Sequence, residues 1–342
     1  MIPLPSNPDI VMTTWDPKDR GPVKQMIETL SLGLGDSQAK DDNSFYWKHI
    51  DNPAGHTIFS YAIDTKKNLV ISLIGISPRY FWYNGKRRLC YEAVDASTRS
   101  EYRRMGIFSG LFRICLETGG NRGGNYTYGF PNFNSIRGFL KVGFKNIGGI
   151  SMLLKPRKYF KLGWTLARQR SSLSSYKPIY LENKASEFET KYMPGIADIL
   201  SDGHHAGNSL YGARDVELIR WRFFRRPGFT YFPVLVSGGF AIVNMGMRAG
   251  LREAKIIEVV LSTGNQPRKT FKVLLRKIYD DLKLDILSTY VSNDHRYYRL
   301  FAENGFVRVP SRIHFATFSH AGITDILENC KWEISGTDID TE

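Results

Sequence analysis

Only three of the 342 residues are cysteine. Cys90, Cys115 and Cys330 are odd in number, far apart and without a C-x-x-C spacing, so neither a disulfide framework nor a zinc site is indicated. They are expected as small buried hydrophobes. Long apolar runs are also missing. Stretches such as Leu69 to Ile76 fall well below the roughly 18 residues that a membrane span needs. The opening M-I-P-L-P-S-N-P-D has three prolines and no basic stretch ahead of an apolar one, unlike a secretory signal, so a cytoplasmic location is expected. Acid is scarce: 33 Asp and Glu stand against 47 Lys and Arg, a net charge of +14. Such a charge attracts polyanions without choosing among nucleic acid, a membrane surface and phosphorylated small molecules.

What is present describes a packed protein. Apolar residues make up 42% and aromatics 13%, and the length suits two domains of about 150 residues each. Basic residues gather at Lys155, Arg157, Lys158, Lys161, Arg168 and Arg170, and again at Arg220, Arg222, Arg225 and Arg226. Runs of this kind are commonly solvated faces. The last twenty residues reverse the sign and read as a partly disordered acidic tail.

Periodicity gives a β-α-α-β-β-β-α-β-α-β order for the first half. Its strands fall at Ile10 to Thr14, Ile58 to Ile63, Leu69 to Ile76, Arg88 to Val94, Tyr126 to Phe130 and Ile147 to Leu154. One helix carries Ile107, Leu111, Ile114 and Cys115 on a single face and is expected to stop at Gly119-Gly120. The second half repeats the order, from a helix at Ala185 to Leu200 to a last strand at Ile313 to Phe318. Two landmarks recur in step. Pro53 follows Trp47 by six positions, as Pro227 follows Trp221; Phe139 and Phe301 each stand four residues before a Gly-Phe pair. A tandem duplication follows, with domains at 1–160 and 178–320, a basic linker at 161–177 and the acidic tail at 321–342.

The stretch E-Y-R-R-M-G-I-F-S-G, Glu101 to Gly110, sets two arginines and a glycine at a strand-to-helix turn. The first amides of a helix have no internal partner, and the macrodipole adds about half a positive charge there, so the turn favours an anion. Gly106 lets the backbone approach it closely. The nucleotide signatures G-x-G-x-x-G and G-x-x-x-x-G-K-S/T are absent from this turn, which sets aside NAD and ATP. A pyrophosphate suits the arrangement.

These residues resemble a known family. The run V-D-A-S-T-R-S-E-Y-R-R-M-G-I-F-S is similar to the strand and acetyl-CoA loop of the GNAT superfamily of N-acyltransferases, whose loop reads Arg/Gln-x-x-Gly-x-Gly/Ala. Arg103, Gly106 and Phe108 fill it, Phe108 replacing the small residue. G-F-P-N-F-N-S-I-R-G-F-L-K-V-G-F resembles the fifth strand, the next helix and the closing Gly-Phe.

The resemblance implies an α/β (α+β) fold of two GNAT-like domains, each a mixed, largely antiparallel twisted sheet flanked by helices. It implies acetyl-CoA, or another acyl-CoA, as co-substrate, with no metal. The backbone of Thr98 and Arg99 would receive the thioester and pantetheine arm. Arg103, Arg104, Met105, Gly106, Ile107, Phe108 and Ser109 would hold the pyrophosphate, and Asn134 would bond the pantetheine where two strands splay. Glu92 stands where histone-type members carry a catalytic base; a strand glutamate on the solvent side is the alternative. Asp95 and Glu101 flank the loop as poorer candidates. Phe139 occupies a position where many members have a tyrosine that protonates the departing thiolate, which leaves Tyr126, Tyr128 and Tyr298 as possible donors; Tyr128 is taken here.

The matching turn of the second half, S-T-G-N-Q-P-R-K-T-F, has Pro267 at the helix start and no R-x-x-G, so a single cofactor site is expected, the second copy walling the acceptor cleft. The implied activity is N-acetyl transfer to a small amine or amino sugar, including a nucleotide-sugar for surface polysaccharide, by a monomer or homodimer. A transferase drawing its acyl group from aminoacyl-tRNA, and a non-catalytic acyl-CoA-sensing or nucleic-acid-binding module, are the alternatives.

Overall fold

The computed structural model describes residues 1–34, 41–157, 176–179, 184–201, 209–248, 250–262, 266–309, 311, 313–320 and 330–339. In chain order the elements are β1 (Ile2–Leu4), β2 (Asn7–Thr14), α1 (Val23–Leu34), α2 (Asp42–His49), β3 (Ile58–Asp64), β4 (Leu69–Tyr83), β5 (Lys86–Thr98), α3 (Ile107–Asn121), β6 (Tyr126–Gly129), α4 (Ile136–Lys141), β7 (Lys145–Gly149) and β8 (Ser151–Pro156). There follow β9 (Tyr176–Pro178), α5 (Ala185–Ser201), β10 (Ser209–Gly212), α6 (Val216–Ile219), β11 (Phe232–Val236), β12 (Gly239–Arg248), β13 (Leu251–Leu261), α7 (Pro267–Leu282), β14 (Ile286–Val291), α8 (Tyr298–Glu303), β15 (Val307–Val309), β16 (His314–Ser319) and β17 (Lys331–Glu333). The chain divides into two units: Met1–Gly149, Arg312–Cys330 and Asp340–Glu342 form one, Ile150–Ser311 and Lys331–Ile339 the other.

In the first unit the strand order is β1-β2-β3-β4-β5-β6-β16-β7, antiparallel except for the β5–β6 pair. Helix α3 packs Ile107, Leu111, Phe112 and Cys115 with Ile10, Ile58, Ile74 and Ile76 in one core. Val23, Met26 and Phe45, from α1 and α2, pack with Trp15, Phe59 and Leu73 in another. Both faces of the sheet are thus covered. Cys90 and Cys115 are buried, and burial pushes the Cys115 thiol up to about 12. Helix α3 does not stop at Gly119-Gly120. It runs to Asn121, because those glycines make room for neighbours: a Cβ at Gly119 would lie 2.8 Å from Ile76, and one at Gly120 would lie 3.1 Å from His320.

The segment expected as one strand, Ile147 to Leu154, is two. β7 stays beside β16 in the first unit, whereas β8 pairs with β14 and β15 in the second, whose order is β11-β12-β13-β14-β8-β15. β16, from the end of the second repeat, lies between β6 and β7. Each repeat therefore gives its last strand to the other sheet. The division falls at 149/150, with a return at 312, and not at the expected 160. Alternating apolar residues fix a strand's two faces but not which edge it pairs with.

The repeat is visible in detail. Gly143 and Gly305 are both left-handed, at φ +103° and +82°, and the carbonyls of Phe139 and Phe301 accept the amides of Phe144 and Phe306 at 3.1 Å in each case. The tail differs from expectation over residues 331–339. Trp332, Ile334 and Ile339 are buried in the second unit, and the acids between them are paired, Glu333 with Arg296 and Asp338 with Arg214. Interspersed apolar residues and matched charges order what composition alone reads as tail. Residues 321–329 and 340–342, and most of the expected linker 161–177, lie outside the described residues.

Candidate active site

β5 and β6 pair through Cys90↔Tyr126, Tyr91↔Thr127 and Glu92↔Tyr128 and no further, although β5 runs on to Thr98. Beyond Glu92 it stays on β4 alone, so the parallel strands open into a notch. The cause lies on the β4 side. The register steps from Leu73↔Ser97 to Gly75↔Val94, one extra residue on β5, and Asp95 within that step sits at φ +45°. A bulge bends its strand and increases its twist, which carries β5 away from β6.

The end of β5 leads into the turn before α3. The Arg99 amide and its Nε donate to the Ile71 and Val70 carbonyls, both at 2.9 Å, which fixes the exit from the strand. A single 3-10 turn, Ser100–Tyr102, follows. Tyr102 is buried, its hydroxyl donating to Asp64 Oδ2 at 2.7 Å and accepting from Lys67 Nζ at 2.8 Å. The Tyr102 hydroxyl, more than the adjacent Lys67, holds the Asp64 carboxyl below its ordinary range. This anchor of the turn carries no motif in the sequence.

Arg103, Arg104 and Gly106 are exposed, and Met105 is half-buried. Arg104 stands at φ +66°, and Gly106, the residue preceding α3, at φ +81°. The first helical bond runs from the Gly110 amide to the Gly106 carbonyl at 3.1 Å, leaving the amides of Ile107, Phe108 and Ser109 at the open end of the helix. A Cβ at Gly106 would meet no atom within 4 Å. The side chains of Ile107 and Ser109 are buried, so these two residues face the turn with their backbone only. Phe108, the departure from the family pattern, is accommodated by another glycine: its ring lies where a Cβ of Gly138 on α4 would be, 2.7 Å away.

The remaining expected residues are placed as follows. Asn132, not Asn134, organises the turn after β6, its Oδ1 accepting the amides of Asn134 and Ser135 at 3.0 and 3.1 Å; the Asn134 side chain is exposed. Phe139 is buried against Phe112 and Phe144, with ring centroids 5.0 and 4.9 Å apart. Glu92 is 1% exposed and paired with Arg79 at 3.1 Å, which removes the reading of it as a solvent-side glutamate. Tyr128 is 0% exposed among Phe81, Phe130 and Phe315, so its ring is core. Tyr126 is likewise buried, and burial raises its hydroxyl well above the ordinary range. The Asp95 side chain is largely covered and paired with Lys48 Nζ at 2.8 Å and His49 Nε2 at 2.9 Å.

The second unit has the same parallel pair and the same opening, filled from within. β13 and β14 pair from Glu253↔Ile286 to Ile256↔Thr289, with a register step against β12 at Ile257. Residues 331–339 lie in the opening: the Ser292 amide donates to the Ile334 carbonyl at 3.0 Å, and a Cβ at Gly336 would be 3.0 Å from the Ile257 carbonyl. Arg214 clasps the segment, donating to Glu258, to Ser335 and, through both terminal nitrogens, to Asp338. Beside the clasp is a cavity of about 50 Å³ lined by Tyr211, His295, Arg296 and Glu333 among others. Helix α7 opens on Pro267 without a side-chain cap. Among the described residues, no three His, Cys, Asp or Glu side chains are grouped to hold a metal.

No family model and no curated protein matches the chain. Solved structures do. A GCN5-related N-acetyltransferase from Anabaena variabilis ATCC 29413 is 15% identical, with a TM-score of 0.62 over 90% of this chain and 72% of its own. One from Kribbella flavida is 14% identical, with a TM-score of 0.58 over 90% and 71%. The N-myristoyltransferase of Saccharomyces cerevisiae, solved with bound myristoyl-CoA, is 10% identical, with a TM-score of 0.58 over 93% and 80%. With two mixed, mainly antiparallel sheets, each opening at one parallel pair, the chain has the fold of the GCN5-related N-acetyltransferases.

Proposed function

We propose that the protein is an acyl-CoA-dependent N-acyltransferase with one cofactor site, the notch of the first unit. One observation carries this reading: the opening between β5 and β6 runs directly into the left-handed Arg104 and Gly106 at the start of α3. Unpaired strand backbone takes the amide-rich pantetheine, and the exposed helix-start amides with Arg103 and Arg104 take the pyrophosphate. Thr98, Met105 and Ser109 contribute backbone, and Asn134 stands at the rim. A similarly folded protein holding myristoyl-CoA supports the same class of co-substrate. The second notch is occupied by the chain itself, which supports a single site.

Transfer needs a neutral amine on the thioester carbonyl carbon: the C–N bond forms, the C–S bond breaks and CoA leaves as thiolate, the nitrogen giving up a proton. Glu92 and Tyr128 are neighbours on the last paired rung, at the closed end of the notch. The proposed base and acid roles fall to Glu92, which is one half of a buried pair with Arg79, and to Tyr128. The acceptor is a small amine or amino sugar, and the net charge of +14 favours a nucleotide-linked one for its phosphates. The second basic group gives no support to a nucleic-acid surface: Arg220 is paired with Glu189 and Glu217, and Arg222 is buried. A thiol-release screen with acetyl-CoA across amino sugars, nucleotide-sugars, polyamines and lysine peptides tests the reading. Acetyl-CoA binding without release on any amine would instead favour a sensing role.

A further inference from the structure

A left-handed aspartate inside a strand is unusual, and Asp95 is one, at φ +45°. It sits in the bulge that separates β5 from β6 and sets how the strand enters Ala96 to Thr98, which β4 and the 2.7 Å bond from the Ser97 hydroxyl to the Thr29 carbonyl hold further on. Its side chain is 7% exposed and points at α2. There Lys48 Nζ bonds Oδ1 at 2.9 Å and lies 2.8 Å from Oδ2, and His49 Nε2 lies 2.9 Å from Oδ2. His49 is oriented in turn by Thr57, whose hydroxyl is 3.1 Å from Nδ1, and by the rings of Phe45 and Phe59 at 4.7 and 4.6 Å. Burial works to raise the carboxyl, but Lys48 and His49 outweigh it and hold Asp95 far below its ordinary range. Strained backbone persists where surrounding contacts over-determine it. Here those contacts come from the helix on the far side of the strand.

We infer that Asp95 is a positioning residue for acyl transfer: the Lys48–His49–Asp95 cluster fixes the bulge, so that the β5 backbone beyond it is set to hydrogen-bond the thioester carbonyl. This rests on the notch being the acyl-CoA site. The pyrophosphate turn has anchors of its own in Arg99 and Tyr102, and touches the segment beyond the bulge through one bond, from Arg103 Nε to the Thr98 carbonyl at 3.2 Å. Loss of the cluster therefore weakens recognition of the acyl group more than recognition of CoA itself.

The measurement is the ratio of Kd for CoA to Kd for acetyl-CoA, by calorimetry on the full chain. One carbonyl hydrogen bond makes that ratio about threefold to tenfold in the unmodified protein. Asp95→Asn keeps the shape and the tolerance of a left-handed backbone but removes the charge. Lys48→Met removes the lysine cation and serves if Asp95→Asn fails to fold. Both are expected to bring the ratio to about one while Kd for CoA stays within about twofold. Such a split is not what general loosening of the fold would give, since that weakens both ligands together. A ratio that survives in a folded variant overturns the role of the cluster alone. An unmodified protein that binds neither ligand overturns the notch reading, and this inference with it.

Discussion

Gly106 has two separable reasons to be glycine, and replacing it tells them apart. The first is conformational: at φ +81° an ordinary residue costs about 1–2 kcal/mol, and asparagine, which visits this region readily, costs less. The second is room for a ligand. A Cβ there meets no protein atom within 4 Å, so the folded chain offers no steric objection of its own. Gly106→Asn is thus expected to cost no more than about 1 kcal/mol of stability in urea unfolding, and Gly106→Val more, because its branched Cβ suits a left-handed backbone least. If the turn holds a pyrophosphate, both side chains project into the anion's space. Losing a single amide bond to a charged oxygen, about 1.5–3 kcal/mol, lowers CoA affinity roughly 10- to 150-fold. Calorimetric titration with CoA supplies the affinity and the unfolding curve the stability. A Gly106→Asn variant that binds CoA as tightly as the parent refutes the site at this turn, since only the conformational reason would then remain.

Gly138→Ala is expected to destabilise by about 1–3 kcal/mol, through the 2.7 Å approach to the Phe108 ring; in a Phe108→Ala background the same change stabilises by up to about 1 kcal/mol, and equal effects in both backgrounds refute the pairing. Arg214→Ala leaves Glu258 and Asp338 buried without their cation, so a loss of about 3–5 kcal/mol with new proteolytic cleavage in 331–339 is expected; a loss under about 1 kcal/mol argues against the clasp. Burial lowers the His320 imidazole to about 4, against about 6.5 in an unfolded chain. Between those values the unfolded state binds more protons, so stability is full above pH 6.5 and falls as the pH drops towards 4, by up to about 1.4 kcal/mol per pH unit. His320→Gln flattens this slope in urea titrations, and an unchanged slope removes the assignment.

The turn before α3 was readable because its signal is local. R-R-M-G before an apolar helical face encodes a left-handed glycine and a helix start within six residues, and both are found there. Asp95 was legible only as a residue flanking the loop. Its left-handed bulge arises from the register with β4, and its partners lie 46 and 47 positions earlier. The anchor at Tyr102 depends in the same way on Asp64 and Lys67, at the turn between two other strands.

The sequence by itself determined most of the element types, the duplicated order and the place of the glycine turn before α3, since hydrophobic period and turn chemistry act over a few residues. Tertiary structure alone decided which sheet each repeat's last strand joins, that Glu92 and Tyr128 are buried, and that the second notch is filled by residues 331–339. A strand's pattern shows its apolar face but not its partner. Pairing and burial are settled by the competition of whole sheets for each edge, which no short window of residues contains.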